Sequence, residues 1–84
     1  MKKILITIYV LSIGEQYDLF VPIDMKVIQV INLIQKSIHD LSGGDYVIKN
    51  DNEIILSDYE GKVINPNNIV KFSGLRNGCK VIMK

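Results

Sequence analysis

Residues 3–41, KILITIYVLSIGEQYDLFVPIDMKVIQVINLIQKSIHDL, contain the patterns that decide the fold. From residue 4 to residue 10, isoleucine and valine occupy every second position. A period of two that is rich in β-branched residues predicts a strand. A second alternating run at 17–21 follows a turn around Gly14, so the two runs are expected to form an antiparallel hairpin. Pro22 is predicted to end the hairpin, because it has no N–H to donate.

After the hairpin the hydrophobic period becomes that of a helix ending near Leu41. Asp24 is its predicted N-cap, because a short carboxylate accepts hydrogen bonds from the amides of the first turn. The apolar residues fall on one face of this helix: Val27, Val30, Ile31, Ile34, Ile38 and Leu41. Polar residues occupy the other face: Gln29, Asn32, Gln35, Lys36 and His39. The pair Gly43-Gly44 is the predicted stop.

The second half of the chain is less regular. Residues 42–53 are predicted to form a loop, with a short strand at 46–48 as the alternative. Later strands are predicted at 54–57, 62–64 and 79–83, joined by turns and by one helical turn that begins near Pro66. The first and last strands, both rich in isoleucine and valine, are expected to lie adjacent and parallel at the sheet centre.

This order of elements predicts an α+β fold, a mixed four- to five-stranded sheet with one helix packed across one face. A chain of 84 residues buries only about 60 to 65% of its unfolded surface. That is too little for two cores, so residues 1–84 are expected to be a single domain. With 48% hydrophobic and 23% charged residues, the composition is that of a globular protein.

The charge is unevenly distributed, although the net charge is only +1. Residues 1–60 carry nine acids and five lysines, whereas residues 61–84 carry five basic residues and no acid. The last third is therefore +5 and the rest −4. A small basic nucleic-acid-binding module is one interpretation of that segment. Nucleic acid is not favoured, because no aromatic residues interleave the basic ones to stack on bases.

Residue types that carry catalysis or hold metals are scarce. His39 is the only histidine, and it is expected to be a solvated residue of the helix. Cys79 is the only cysteine, so neither an intramolecular disulfide nor a thiolate cluster is expected. We expect Cys79 to be a small packing residue, with the neighbouring Lys80 as the argument for a reactive thiol. The sequence thus predicts no enzyme, and no catalytic, cofactor or metal site.

The first residues allow two interpretations. Lys2 and Lys3 before an apolar run to Ile13 are similar to a short signal peptide. The polar residues within that run, and its quality as a strand, favour a structural role instead. No run reaches the ~18 to 20 apolar residues of a membrane span. A cytoplasmic location is therefore expected, and the single cysteine agrees with it.

Element order and spacing resemble ubiquitin, and three motifs resemble the YukD/EsaB family. They are Tyr17-Asp18-Leu19-Phe20-Val21-Pro22 before the helix, Gly61-x-x-Ile64-x-Pro66, and Gly74-Leu75-Arg76-Asn77-Gly78 before the last strand. Cys79 departs from the family, which usually has aspartate there, and residues 42–53 match it poorly. The resemblance implies a ubiquitin-like β-grasp fold and a non-enzymatic accessory or regulatory protein of a Gram-positive type VII (WXG-type) secretion system. It also implies a protein partner, with a membrane component of that system as the candidate.

The resemblance to ubiquitin raises a second function, that of a sulfur carrier or protein modifier. Ubiquitin and the ThiS/MoaD sulfur carriers act through a C-terminal Gly-Gly. Here the sequence closes with Ile82-Met83-Lys84, and such bulky side chains disfavour both conjugation and sulfur carriage.

Strand alternation predicts which apolar residues lie on the sheet face that the helix leaves open. With Lys80, they are the candidate partner-binding residues: Leu5, Tyr9, Phe20, Ile55, Lys80 and Ile82. An apolar cluster ringed by lysines is typical of a surface that docks a protein partner or a second copy in a homodimer. Ile28 and Leu33, at the sides of the helix, are a second candidate. The competing interpretation is that small domains expose some apolar residues without any function.

Overall fold

The computed structural model describes residues 2–84, which form one mixed sheet, one α-helix and their connections. The regular elements are β1 (Lys3–Val10), β2 (Glu15–Pro22), α1 (Val27–Leu41), β3 (Leu56–Ser57) and β4 (Lys80–Met83). Two short 3₁₀ helices, Asp51–Glu53 and Val70–Phe72, lie in the connections. The four strands follow the order β2-β1-β4-β3. No helix in the described part is both long and apolar enough to cross a bilayer.

β1 lies inside the sheet because it pairs on both sides. It is antiparallel to β2, with Ile6 opposite Leu19, and parallel to β4, with Ile8 opposite Val81. Gly14 takes a φ of 64° in the turn between β1 and β2, a conformation that glycine adopts without steric cost. The predicted hairpin and the predicted central parallel pair are both confirmed.

The core lies between the sheet and α1. Ile6, Ile8 and Val10 of β1 are buried there, as are Val81 and Met83 of β4. Five of the six residues in the predicted helical stripe join them: Val27, Val30, Ile31, Ile34 and Ile38. The prediction is wrong for the sixth residue, Leu41. It is an exposed residue at the very end of α1, one turn beyond the last buried isoleucine.

The predicted N-cap is also wrong. Helix α1 begins at Val27, so Lys26 is the N-cap residue and has extended backbone angles. An antiparallel bridge between Lys26 and Ile69 holds this segment, which delays the start of the helix. Asp24 lies too early to cap it, and its carboxylate oxygen instead lies 3.3 Å from Nζ of Lys71.

Strand prediction was least accurate around β3. The predicted strand at 54–57 is reduced to Leu56–Ser57, and the predicted strand at 62–64 contributes a single bridge between Val63 and Ser57. The sheet therefore has four strands. Residues 42–53 form a loop, as predicted, apart from the 3₁₀ helix at Asp51–Glu53.

The helical turn predicted near Pro66 begins later in the chain. The Asn65 Oδ1 atom accepts a hydrogen bond of 2.9 Å from the N–H of Asn67, and this local turn competes with a helix. The 3₁₀ helix accordingly starts at Val70, whose N–H donates to the Met25 carbonyl over 2.9 Å.

Gln35 belongs to the core rather than to the solvated helix face on which periodicity placed it. The side chain is 0% exposed. Its Oε1 accepts from the Tyr46 hydroxyl (2.7 Å) and from the Lys49 N–H (2.8 Å). Its Nε2 donates to the Lys49 carbonyl (3.1 Å) and to Asp51 Oδ1 (2.8 Å). The amide thus makes all four of its hydrogen bonds to the loop, which explains how a polar side chain is buried at this position.

Candidate protein-binding surface

The sheet face opposite α1, here called the open face, carries the residues predicted to bind a partner. Its register follows from the strand pairs. Leu5 lies opposite Phe20, Thr7 lies between Asp18 and Lys80, and Tyr9 lies between Gln16 and Ile82. Three successive rows of side chains therefore cross this face.

The first row is apolar. Phe20 is 68% exposed on the edge strand β2, and Leu5 is half-buried beside it. Side chains directly opposite one another on antiparallel strands have Cβ atoms about 4.5 to 5.5 Å apart. Leu5 and Phe20 therefore form one contiguous apolar pair at the β2 edge.

The second row is polar and was not anticipated from the sequence. The Thr7 hydroxyl donates to Asp18 Oδ1 over 2.6 Å, and Lys80 lies opposite Thr7 on β4. In the strand register, an aspartate and a lysine thus lie on either side of Thr7. Strand alternation predicts a single apolar patch on the open face, but this row divides it in two.

The third row forms a second apolar cluster. Tyr9 and Ile82 are half-buried neighbours. Ile55 lies diagonally from Ile82, because its backbone exchanges two hydrogen bonds with Lys84, of 3.1 and 2.9 Å. Ile55 is 45% exposed and lies beside β3, at the sheet edge opposite to β2. The structure therefore brings Tyr9, Ile82 and Ile55 together, apart from Leu5 and Phe20.

Leu11 is a further exposed apolar residue, at the end of β1 next to this second cluster, that strand alternation does not identify. Its N–H donates to the Met83 carbonyl over 3.1 Å, so it continues the β1–β4 ladder by one residue beyond β1. Its side chain is exposed. Leu11 continues the every-second-residue series of Leu5, Thr7 and Tyr9, which is the signal that the sequence contains. Because Leu11 lies next to the turn, that series does not predict on which face its side chain lies.

The helix-side candidates lie next to the open face. Leu33 lines a groove of about 50 Å³ between α1 and β2, together with Phe20 and Pro22. On its other side, Leu33 lines a shallow depression with Ile28 and Met25. Phe20 therefore borders both the open face and the helix groove.

His39 and Cys79, the only histidine and the only cysteine of the chain, both contact neighbouring parts of the fold. His39 is more enclosed than predicted, since it is half-buried with Nδ1 2.8 Å from the Tyr46 carbonyl oxygen. Nδ1 must carry the proton to donate to that oxygen. Cys79 is half-buried against the core, as expected for a packing residue. Residues 2–84 contain no group of three or more His, Cys, Asp or Glu side chains placed to hold a metal ion.

No protein-family model and no curated protein matches this chain. Solved structures do resemble it. The ubiquitin-like domain of EccD5 from Mycobacterium xenopi has a TM-score of 0.70 at 11% identity, and the match covers 100% of this chain and 94% of that one. The UBL domain of Plasmodium falciparum Dsk2 has a TM-score of 0.66 at 12% identity, covering 99% and 100%.

A third match is a chain of the ESX-5 inner membrane complex in its MycP5-free form. The TM-score is 0.68 at 9% identity, and the match covers 100% of this chain but 21% of the other. At such identities, structural likeness shows the fold alone. The predicted ubiquitin-like β-grasp fold is confirmed.

Proposed function

We propose that this chain is a ubiquitin-like accessory protein of a type VII secretion system, and that it binds a protein partner through the open face. The exposure of Phe20, 68%, beside Leu5 is the observation that carries the proposal. A sheet face that is only solvated alternates hydrophobic-in with polar-out. Aromatic residues, phenylalanine among them, are instead enriched in protein–protein interfaces.

The arrangement of the open face supports a specific partner rather than unspecific adhesion. Two apolar clusters supply contact area on either side of the polar row. Within that row, Asp18 and Lys80 place opposite charges on either side of Thr7. A partner must be complementary to both apolar clusters and to the order of these two charges. This requirement favours one docking orientation.

The secretion role is supported by two likenesses. Motifs such as the run from Tyr17 to Pro22 resemble the YukD/EsaB family. In fold, the chain is similar to the ubiquitin-like domain of EccD5, a protein of a type VII secretion system. We therefore propose a membrane component of the secretion system as the partner. Genes for a membrane ATPase and small WXG-type proteins are expected next to the gene for this chain.

Gene deletion and complementation test the proposal. Deleting the gene is expected to reduce export of a small WXG-type protein, measured by immunoblot of culture supernatants. Wild-type protein should restore export, whereas Leu5→Asp combined with Ile82→Asp should not, because two carboxylates would be desolvated in the apolar contact. Unchanged export after deletion would exclude the secretion role.

Exposed phenylalanines provide a matched control for the surface. Phe20→Ser is expected to impair export, and Phe72→Ser to leave it intact. Both side chains are about equally exposed, at 68% and 72%, but Phe72 lies on the 3₁₀ helix and not on the open face. Circular dichroism checks that each variant folds. Folded open-face variants that restore export fully would rule out this face as the docking surface.

A further inference from the structure

A second surface on this molecule is a basic cleft between the turn after β3 and the segment that leads into β4. The cleft has a volume of about 230 Å³. Lys62, Arg76 and Lys80 contribute its basic side chains. Lys62 and Lys80 are 18 positions apart in sequence. The fold places all three basic residues at the same cleft.

The three basic side chains make no ion pair within residues 2–84, where the one salt bridge joins Lys71 to Asp24. Asp58 is the sole acidic residue lining the cleft. Its Oδ1 accepts from the backbone N–H groups of Glu60 (2.9 Å) and Lys62 (2.8 Å), so one carboxylate oxygen is already engaged. The cleft therefore retains a positive charge that this chain does not neutralise.

The inner wall of the cleft is apolar. Ile64, Leu75 and Val81 line it, and all three are buried in the core. The combination of an apolar wall and a basic rim fits a carboxylate on an aliphatic stem. The volume is below the ~300 to 1,000 Å³ of typical small-molecule sites, so an inserted side chain fits better than a cofactor.

We propose that the basic cleft binds an acidic segment of a partner protein, with a glutamate or aspartate side chain entering between Arg76, Lys62 and Lys80. Nucleic acid is a poorer match for this geometry. None of the residues lining the cleft is aromatic, whereas single-stranded nucleic acid is held by stacking platforms along an extended groove. The inference does not require the secretion role, since it needs only a charge-complementary segment, although the cleft and the open face share Lys80.

A peptide titration tests the proposal on the isotope-labelled full chain. The probe is a blocked peptide of alternating alanine and glutamate, and its glutamine counterpart is the control. Saturable shifts of backbone amide signals are expected at Lys62 and across residues 73–80, with the glutamate peptide alone. Shifts that are equal for both peptides, or that fall mainly outside the cleft, would overturn the proposal.

Charge-neutral variants sharpen the test. Arg76→Gln and Lys80→Gln are each expected to weaken binding by about two- to fivefold, the range of a single exposed ion pair. Lys36→Gln and Lys49→Gln remove the same charge from exposed residues that do not line the cleft, so they should leave binding unchanged. Equal weakening by all four variants would show that binding depends only on the net charge of the protein, and this result would overturn the proposal. Tighter binding of a thymidine oligonucleotide than of the glutamate peptide, at the same salt concentration, would also overturn the proposal.

Discussion

At the scale of single residues, Tyr46 is the side chain whose ionisation the fold changes most clearly. Its side chain is 2% exposed, and its hydroxyl donates to Gln35 Oε1 over 2.7 Å. Burial raises the pKa of Tyr46 above its usual value, and the nearby Asp51 carboxylate adds to that increase. Both effects oppose the phenolate, because it is desolvated and lies close to another negative charge.

This raised pKa predicts a loss of stability at alkaline pH. The folded state holds the phenolic proton more tightly than the unfolded chain, whose tyrosine pKa is about 10. The stabilisation from this proton is complete below pH ~10 and is lost as the pH rises through the folded-state pKa. Tyr46→Phe should be less stable at pH 7, because it lacks the hydrogen bond to Gln35, but the gap to wild type should narrow above pH ~10.

Urea denaturation of both proteins between pH 8 and 11.5 measures this difference, since lysines that titrate in both proteins largely cancel. A gap in the free energy of unfolding that stays constant over this range would contradict the prediction.

At the scale of elements, the loop at 42–53 is fastened to α1 by polar contacts. Besides the four hydrogen bonds of Gln35, Asn32 Nδ2 donates to the second Asp51 oxygen over 3.1 Å. No buried side-chain nitrogen or oxygen in residues 2–84 lacks a hydrogen-bond partner. The loop therefore has a defined position although it contains no strand.

Gln35→Met is expected to loosen this loop. Methionine has a similar length but leaves the Tyr46 hydroxyl and the Lys49 N–H without their acceptor, and each unsatisfied buried group costs about 1 to 3 kcal/mol. We expect a loss of about 2 to 6 kcal/mol in the free energy of unfolding, with faster amide hydrogen exchange at Lys49.

Lys36→Met is the control for this change, because Lys36 is the exposed neighbour of Gln35 on the same helix. Losses of stability that are equal in the two variants would show that the hydrogen bonds of Gln35 do not fasten the loop.

At the scale of the whole molecule, stability depends on one small core. A chain of 84 residues has an expected free energy of unfolding of about 4 to 13 kcal/mol. Ile8 lies in the inner strand β1, is 0% exposed and is paired on both sides, opposite Tyr17 and Val81. A cavity at this position therefore removes a large part of the total.

Ile8→Ala is expected to cost about 2 to 5 kcal/mol, and Ile8→Val about 0.5 to 1.5 kcal/mol. Ile55→Ala makes the same chemical change at an exposed position beside the short strand β3, so it should cost much less. Thermal and urea denaturation of the three variants measure these effects. Similar costs at Ile8 and Ile55 would be incompatible with the core described above.

Much of the fold could be predicted from the sequence because it depends on local periodicity. The alternation of Ile4 to Val10 determined a strand with one buried face, and the spacing from Val27 to Ile38 determined an amphipathic helix. A glycine in the sequence also indicated a turn that needs a positive φ, as at Gly14. These features require only neighbouring residues, so the β-grasp order of elements followed from them.

Tertiary structure decided whatever depends on residues distant in sequence. Periodicity assigned Gln35 to the solvated face, but a loop more than ten residues away buries it and satisfies its amide. Asp24 has the chemistry of an N-cap, but the bridge from Lys26 to Ile69 delays the helix. Neither partner is visible in the local pattern, because only folding brings the two segments together.

The candidate binding surfaces show the same division. Alternation correctly selected Leu5, Tyr9 and Ile82 for the open face, because side-chain direction along a strand is a local property. Strand register then divided that face with the row at Thr7, and the connections gathered Arg76 and its basic neighbours around a cleft. Sequence thus determined which side chains of the strands point away from α1. Only the pairing of distant segments determined which of them lie together, since contact depends on register and on the path of the loops.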